Sequence, residues 1–207
     1  MHGFREGDRY NGHVRPLDPE PLVSIITPSL NMREFIEQAI TSVLSQDYPH
    51  IEYLVLDGGS TDGTLEALER YRGRLRYYSG PDGGTADAVN RGVAMSRGSI
   101  VAWLNADDVY LPGAVSQAVA AFRQNPGAGV VYGEAWWLDA SGAIIGEYPV
   151  QDASPEALAA ECCICQPASF IRREAWERAG GLDPSLATSF DYEFWMRLAR
   201  LYPMVRI

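Results

Sequence analysis

The feature that most constrains this chain is an alternation. Short, almost continuously apolar runs each end in a polar loop rich in glycine, asparagine or aspartate, and a segment of helical period follows. The runs are residues 22–27 (LVSIIT), 51–56 (IEYLVL), 75–79 and 100–104 (IVAWL). After the first, Phe35, Ile36, Ala39, Ile40, Val43 and Leu44 recur with helical spacing from Met32 onward; residues 64–71, 85–96 and 112 to about 124 repeat the pattern. Asn31 with Glu34 resembles a capping box, and Pro112 suits a first helical position. Runs that are apolar at both parities are buried on both faces, which a sheet achieves when it is parallel and helices cover each side. The predicted fold is therefore α/β: a Rossmann-like, mainly parallel sheet with helices on both faces. In such sheets ligands bind beyond the carboxyl ends of the strands, where the loops 27–31, 57–62 and 105–108 all fall.

After residue 130 the pattern changes to an α+β region. It comprises a strand at 130–132, a hairpin of 136–138 with 143–148, and a helix at 155–163. A strand at 169–171 follows, then helices at 173–179 and 191–201 and the start of a strand at 204–207. With 207 residues, 46% of them apolar, the chain supports one large core. Residues 1–20 read as an arm and 21–207 as the body, with a first half at 21–110 and a second at 111–207. The opening of a strand at Ile207 suggests that the natural protein continues.

Several function classes are excluded. Lys+Arg 17 against Asp+Glu 27 gives a net charge of −10, which argues against a nucleic-acid binder. No run reaches the roughly 18–20 apolar residues of a membrane span, and the N-terminus lacks an apolar signal core. Cys162, Cys163 and Cys165 are odd in number and clustered, as expected of reduced thiols serving as small half-buried hydrophobes. His2, His13 and His50 lie far apart, so a His-based triad or metal site is discounted. GxGxxG, GxxxxGK[ST] and GxSxG are all missing.

What remains is carboxylate chemistry. Asp57 ends a strand before Gly58-Gly59-Ser60; it suits either an acceptor for a nucleobase N–H or an Asx-type turn. Asp62 suits a cap for the helix that follows. Asp107 and Asp108 are adjacent carboxylates, rationalised by a divalent cation such as Mg²⁺ or Mn²⁺, which takes one or two carboxylates plus phosphate oxygens, or by a turn leading to Pro112. Asp191 opens a helix, where an acid also complements the helix dipole.

Taken together, PLVSIITPSLNM, YLVLDGGSTDGT, GPDGGTADAVNRGVAMSRGSIVAWLNADDVYLPGA and CQPASFIRREAWERAGGLDPSL…DYEFWMRLA resemble the family 2 glycosyltransferases, inverting enzymes of the GT-A fold, over about residues 21–201. The resemblance implies a nucleotide-binding role for Thr27, Pro28, Ser29, Asn31 and Asp57, with Gly84, Asp87 and Asn90 lining the ribose and diphosphate. It implies Asp107 as metal ligand for Mn²⁺ or Mg²⁺, with Asn105 and Asp108 beside the donor. Asn105 stands where many members have a carboxylate. Asp191 takes the place of the family's base, preceded here by Phe190 instead of Glu, and Gln166 faces the acceptor. The Gln-x-x-Arg-Trp motif of processive members is missing within these residues. The implied function is metal-dependent transfer from a nucleotide diphosphate sugar, UDP-sugar favoured, to a saccharide or lipid-linked saccharide. That activity belongs in the cytoplasm, with peripheral contact at the inner membrane surface for a lipid-linked acceptor. Two rivals are a degenerate nucleotide-sugar-binding module and a sugar nucleotidyltransferase; the loop Pro28-Ser29-Leu30-Asn31 lacks the glycines expected of the latter.

Overall fold

A computed structural model describes residues 14–207. Its strands are β1 (Val23–Ser29), β2 (Ile51–Asp57), β3 (Arg76–Ser79), β4 (Ile100–Trp103), β5 (Val130–Tyr132), β6 (Trp136–Leu138), β7 (Ile144–Glu147), β8 (Ser169–Arg172) and β9 (Met204–Arg206). Its α-helices are α1 (Ile36–Leu44), α2 (Thr64–Glu69), α3 (Thr85–Met95), α4 (Ala114–Gln124), α5 (Pro155–Ala160), α6 (Arg173–Ala179) and α7 (Phe190–Leu201). One sheet runs in the order β3-β2-β1-β4-β8-β5-β9, and β6 and β7 form a separate antiparallel hairpin. Within the sheet only β8 runs against its neighbours.

The apolar runs are buried on both sides, as their composition requires. Ile26, Leu54, Leu56, Val101 and Trp103 face a layer that includes α3, α6 and α7. Val23, Ile25, Tyr53, Val55, Ile100 and Ala102 face α1, α2 and α4. Helix α3 lies directly on the sheet at Gly92, where a Cβ would come within 2.6 Å of Ile26 Cγ2 and 2.9 Å of Leu56 Cδ2. Trp103, at the end of β4, stacks on Trp195 of α7 with ring centroids 5.7 Å apart and an interplanar angle of 16°. It also meets Trp176 of α6 edge-on at 5.8 Å. Truncating an aromatic so enclosed costs about 3–5 kcal/mol, so this stack fixes the position of α7 over the carboxyl end of β4.

Several boundaries differ from expectation. Helix α1 begins at Ile36 behind Phe35, without a side-chain cap, because Asn31 has turned into the left-handed region (φ 54°) and faces the neighbouring loop. Asn tolerates that region better than most residues. Helix α4 begins at Ala114 behind Gly113 (φ 83°), not at Pro112. Helix α2 ends at Glu69 and α5 at Ala160, which leaves the three cysteines in a loop rather than on a helix. Residues 1–13 of the expected arm, with His2 and His13, lie outside the described residues. Residues 14–20 run along the body: Val14 and Leu17 pack against the two core layers, and the Arg172 guanidinium donates to the Arg15 carbonyl at 3.0 Å.

Candidate active site

The sheet reverses its winding at β1, with β2 on one side and β4 on the other. The crevice outside the carboxyl ends of these strands is the expected ligand position. His50 sits at the opposite end of the sheet, where its carbonyl accepts from Val23 N–H at 2.9 Å and its ring meets Glu20 at 3.0 Å. Among the described residues no group of three or more His, Cys, Asp or Glu could hold a metal ion unaided. Two surface hollows, about 490 and 360 Å³, lie away from the crevice, along α1 and along edge strand β3. Neither gathers the carboxylates and amides that follow.

On the β1–β2 side the register aligns Ser29, Asp57 and Ser79 in one row across three strands. Asp57 is buried, and its carboxylate is well occupied. Oδ2 accepts from Gly59 N–H (3.0 Å), Ser60 N–H (3.0 Å) and Ser79 Oγ–H (2.7 Å), and Oδ1 accepts from Ser60 Oγ–H (2.5 Å). Ser60 Oγ in turn accepts Asn31 N–H at 2.7 Å, and Asn31 Oδ1 accepts Thr61 N–H at 2.9 Å. Asp62 Oδ1 accepts from Thr64 N–H and Oγ–H, and its Oδ2 accepts Arg33 N–H at 3.0 Å. These bonds to its charged form hold its pKa below the ordinary carboxylate value. The loops after β1 and β2 are thus one cross-bonded unit. Thr27 is fully buried and shares a 3.0 Å hydrogen bond with Tyr53 on the α1 side. Pro28 continues β1 beside it. Ser29 Oγ is buried with no partner among the described residues, which leaves a donor at the crevice.

The glycine loop before α3 is satisfied by its own acids. Asp82 Oδ1 accepts Gly84 N–H at 2.9 Å and Asp87 Oδ2 accepts Gly83 N–H at 3.0 Å, with Arg91 3.7 Å from Asp87. Asn90 is used internally: its amide donates to the Leu182 carbonyl at 2.8 Å and accepts Leu182 N–H at 2.9 Å.

The third cluster joins the two halves of the chain. Asn105 Nδ2 donates to Asp108 Oδ2 and to Gln166 Oε1, each at 3.1 Å, and Gln166 Nε2 donates to the Trp103 carbonyl at 2.7 Å. Gln166 is therefore a buried brace for Asn105. Asp107 is exposed, whereas Asp108 is half-buried. Burial and the neighbouring Asp107 charge push the Asp108 pKa up to about 6, against the opposing hydrogen bond from Asn105. Two carboxylates that resist joint ionisation fit a divalent cation shared with phosphate oxygens; Asp107 is free to turn toward it and Asp108 would gain from its charge. Burial, then Asp108, Cys162 and Asp191, raise the Cys165 thiol to about 12.

Sequence reasoning missed Ser60 and Ser79 as the donors that hold Asp57, because Ser79 meets it only through strand register. The three cysteines are free thiols, Cys163 buried in the core and Cys162 and Cys165 half-buried against it, as expected.

Residues 24–140 match the model of the family described as "Glycosyl transferase family 2". The chain is 30% identical over 193 residues to a chondroitin synthase of Escherichia coli, covering 90% of this chain and 28% of that protein. It is 32% identical to an O-antigen biosynthesis protein of Myxococcus xanthus, covering 90% of this chain and 15% of that protein. The chain thus spans less than a third of the length of these relatives. Among solved structures, a mannosyltransferase from Pyrobaculum calidifontis in complex with GDP-Man and Mn²⁺ superposes with a TM-score of 0.73 at 24% identity, covering 94% of this chain and 57% of that one. S. aureus TarS in complex with UDP-GlcNAc gives 0.70 at 19% identity, covering 90% and 58%. These likenesses identify the fold as GT-A.

Proposed function

The chain belongs to glycosyl transferase family 2, and on that premise we propose that it transfers a glycosyl group from a nucleotide diphosphate sugar to an acceptor hydroxyl, with inversion, in polysaccharide or glycoconjugate synthesis. The observation that carries this reading is the hydrogen-bonded link from Asp108 through Asn105 to Gln166 and the Trp103 carbonyl, which ties the acid pair after β4 to the second half of the chain. A UDP-sugar is the favoured donor. Its nucleoside would lie against the loop unit of Asn31, Asp57 and Ser60, with Ser29 Oγ as a free donor. Its diphosphate would point toward Asp107 and Asp108. A divalent cation, Mn²⁺ or Mg²⁺, would be held by Asp107 with Asp108 and would supply positive charge to the leaving diphosphate. Asn105, braced by Gln166, holds the Asp108 carboxylate in place. Asp191 accepts the proton of the acceptor hydroxyl as its oxygen bonds to the anomeric carbon. The bond from that carbon to the diphosphate oxygen breaks on the opposite face, and the diphosphate leaves with the electron pair. No helix among the described residues is long and apolar enough to cross a membrane.

A second reading, a nucleotide-sugar-binding module without turnover, is favoured by one observation. Asn105 replaces a carboxylate and spends its amide inside the protein.

The test is a thermal-shift and hydrolysis screen of UDP-, GDP- and dTDP-sugars with Mn²⁺, Mg²⁺ or EDTA, since a ligand of the folded state raises the melting temperature. The transferase reading expects a metal-dependent shift with release of nucleoside diphosphate, and loss of the metal dependence in Asp107→Ala. A shift without turnover against any acceptor supports the binding module, and no shift with any donor refutes both.

A further inference from the structure

Hairpin β6–β7 projects from the body with its large side chains in water: Trp137 is 52% exposed, Leu138 42%, Ile144 62% and Ile145 67%. A concentration of exposed apolar surface of this kind marks a contact site. The hairpin is also firmly built. At its tip Asp139 Oδ1 accepts Ser141 N–H (2.8 Å), Ser141 Oγ–H (2.6 Å) and Ala143 N–H (3.0 Å). Trp137 faces Gly146 across the ladder, and a Cβ at 146 would lie 2.9 Å from Trp137 Cε3. The indole therefore covers the bare backbone of Gly146 while about half of the residue remains in water. Tyr148 meets that ring edge-on with centroids 6.0 Å apart, and its hydroxyl donates to the Cys162 carbonyl at 3.2 Å.

This side of the hairpin is continuous with the candidate active site. Burial pushes up the Tyr148 phenol, and Cys162, Cys165 and the Asp191 carboxylate add to the rise. Burial likewise raises the Cys162 thiol, again with a contribution from Asp191. Tyr148, Cys162 and Cys165 also pack against the same core cluster as Phe190 and Tyr192, the neighbours of Asp191 in α7, which connects the hairpin side of the molecule to the start of α7.

Resting on the transferase reading, we propose that Trp137 and Tyr148 form a platform that receives the saccharide chain of the acceptor, one ring or more beyond the hydroxyl that reacts at Asp191. A pyranose presents a face of C–H bonds, weakly positive, which suits the negative face of an indole. Its hydroxyls are donors for the hairpin carboxylate Glu147, which lies across the ladder from Trp136, whereas Glu134 is held by Arg206 and Asp139 Oδ1 closes the tip. Residues 133–150 contain no Lys or Arg, and Arg206, which lies against Glu134, is paired with that carboxylate, so the hairpin itself offers a phosphate-rich chain or an anionic bilayer no unpaired positive charge.

A structural role alone, in which Trp137 merely covers a strand glycine, makes a different prediction, and paired measurements separate the two. Wild type, Trp137→Ala and Trp137→Phe are probed on a printed glycan array with UDP and Mn²⁺ present. Donor affinity is measured by calorimetry and folding by circular dichroism melts on the same preparations. The platform predicts that wild type retains a defined class of glycans. Trp137→Ala then loses them by about fivefold or more, as for truncation of an aromatic anchor of an interface, while Trp137→Phe keeps most of the affinity and donor affinity holds in both. Trp137→Ala and wild type binding the same glycans within about twofold overturns the platform. So does a wild type that binds the donor but no glycan, whether it instead self-associates or adheres to phosphatidylglycerol vesicles. A wild type that binds no nucleotide sugar at all refutes the underlying transferase reading instead.

Discussion

Replacing Asp57 separates a residue that builds the nucleotide loop from one that touches the base. Its carboxylate accepts Gly59 N–H, Ser60 N–H, Ser79 Oγ–H and Ser60 Oγ–H while only 2% of the residue is exposed. In Asp57→Ala the two serine hydroxyls can rotate toward other acceptors, but the two backbone amides cannot. Each orphaned buried donor costs about 1–3 kcal/mol, and bonds to a charged acceptor lie toward the upper part of their range. The expected loss is about 3–5 kcal/mol, or about 6–20 °C in melting temperature for a chain of this size. Asp57→Asn keeps one carbonyl oxygen for the three donors on Oδ2 and disturbs only the Ser60 Oγ bond, so it should cost about 1–2 kcal/mol. Urea denaturation of both variants, with unchanged slope, reads these differences directly. UDP calorimetry completes the assay: if Asp57 acts through the loop, Asp57→Asn retains most of the affinity. Both variants melting within about 2 °C of wild type would refute the reasoning. Equal loss of UDP affinity in two stable variants would instead mean direct contact with the base.

Three further outcomes are expected. The Asp108 pKa, up from 3.8 to about 6 through burial and Asp107, lies above its unfolded value. Its contribution to stability is therefore full below about pH 4 and is lost as pH rises through 6, up to about 3 kcal/mol in EDTA. Asp108→Asn should flatten that limb of the stability profile, and an unaltered profile counts against the buried charge. Asn90→Ala should cost about 2–3 kcal/mol by stripping Leu182 of both partners and change nucleotide affinity less than about twofold; a stable variant with tenfold weaker binding would assign Asn90 to the ligand. Asp191→Asn should lower kcat by about 10²–10⁴-fold with donor affinity retained, and near-normal turnover would remove Asp191 from the mechanism.

The fold was legible because burial on both faces leaves its mark on composition. LVSIIT, IEYLVL and IVAWL are apolar at both parities, and only a sheet covered on two sides needs that. The parallel order in turn forced the loops at 27–31, 57–62 and 105–108 to one end. Helix starts were less legible, because they depend on what a side chain finds across the crevice. Asn31 and Glu34 have the spacing of a cap, yet Asn31 bonds to Thr61 of the next loop, which lets α1 begin one turn later.

The site divides along the same line. Asp57, Asp107, Asp108 and Asp191 stand where motif and spacing put them, but what each is free to do depends on neighbours distant in sequence. Asp57 meets Ser79 because β2 and β3 pair in one register, and Asn90 meets Leu182 across 92 residues. Both are polar residues expected from the sequence to meet the nucleotide, and their bonding capacity goes largely to the protein itself. Asp107, by contrast, is exposed, and Ser29 Oγ is buried without a partner; these are the groups with capacity left for a ligand. The tie between the halves is equally non-local. Trp103 stacks on Trp195, four residues along α7 from Asp191, so the distance between the acid pair after β4 and the carboxylate on α7 is set by a packed indole pair. On the proposed mechanism, loosening that stack would shift the acid pair relative to Asp191 without touching either, so core packing here would contribute to catalytic alignment.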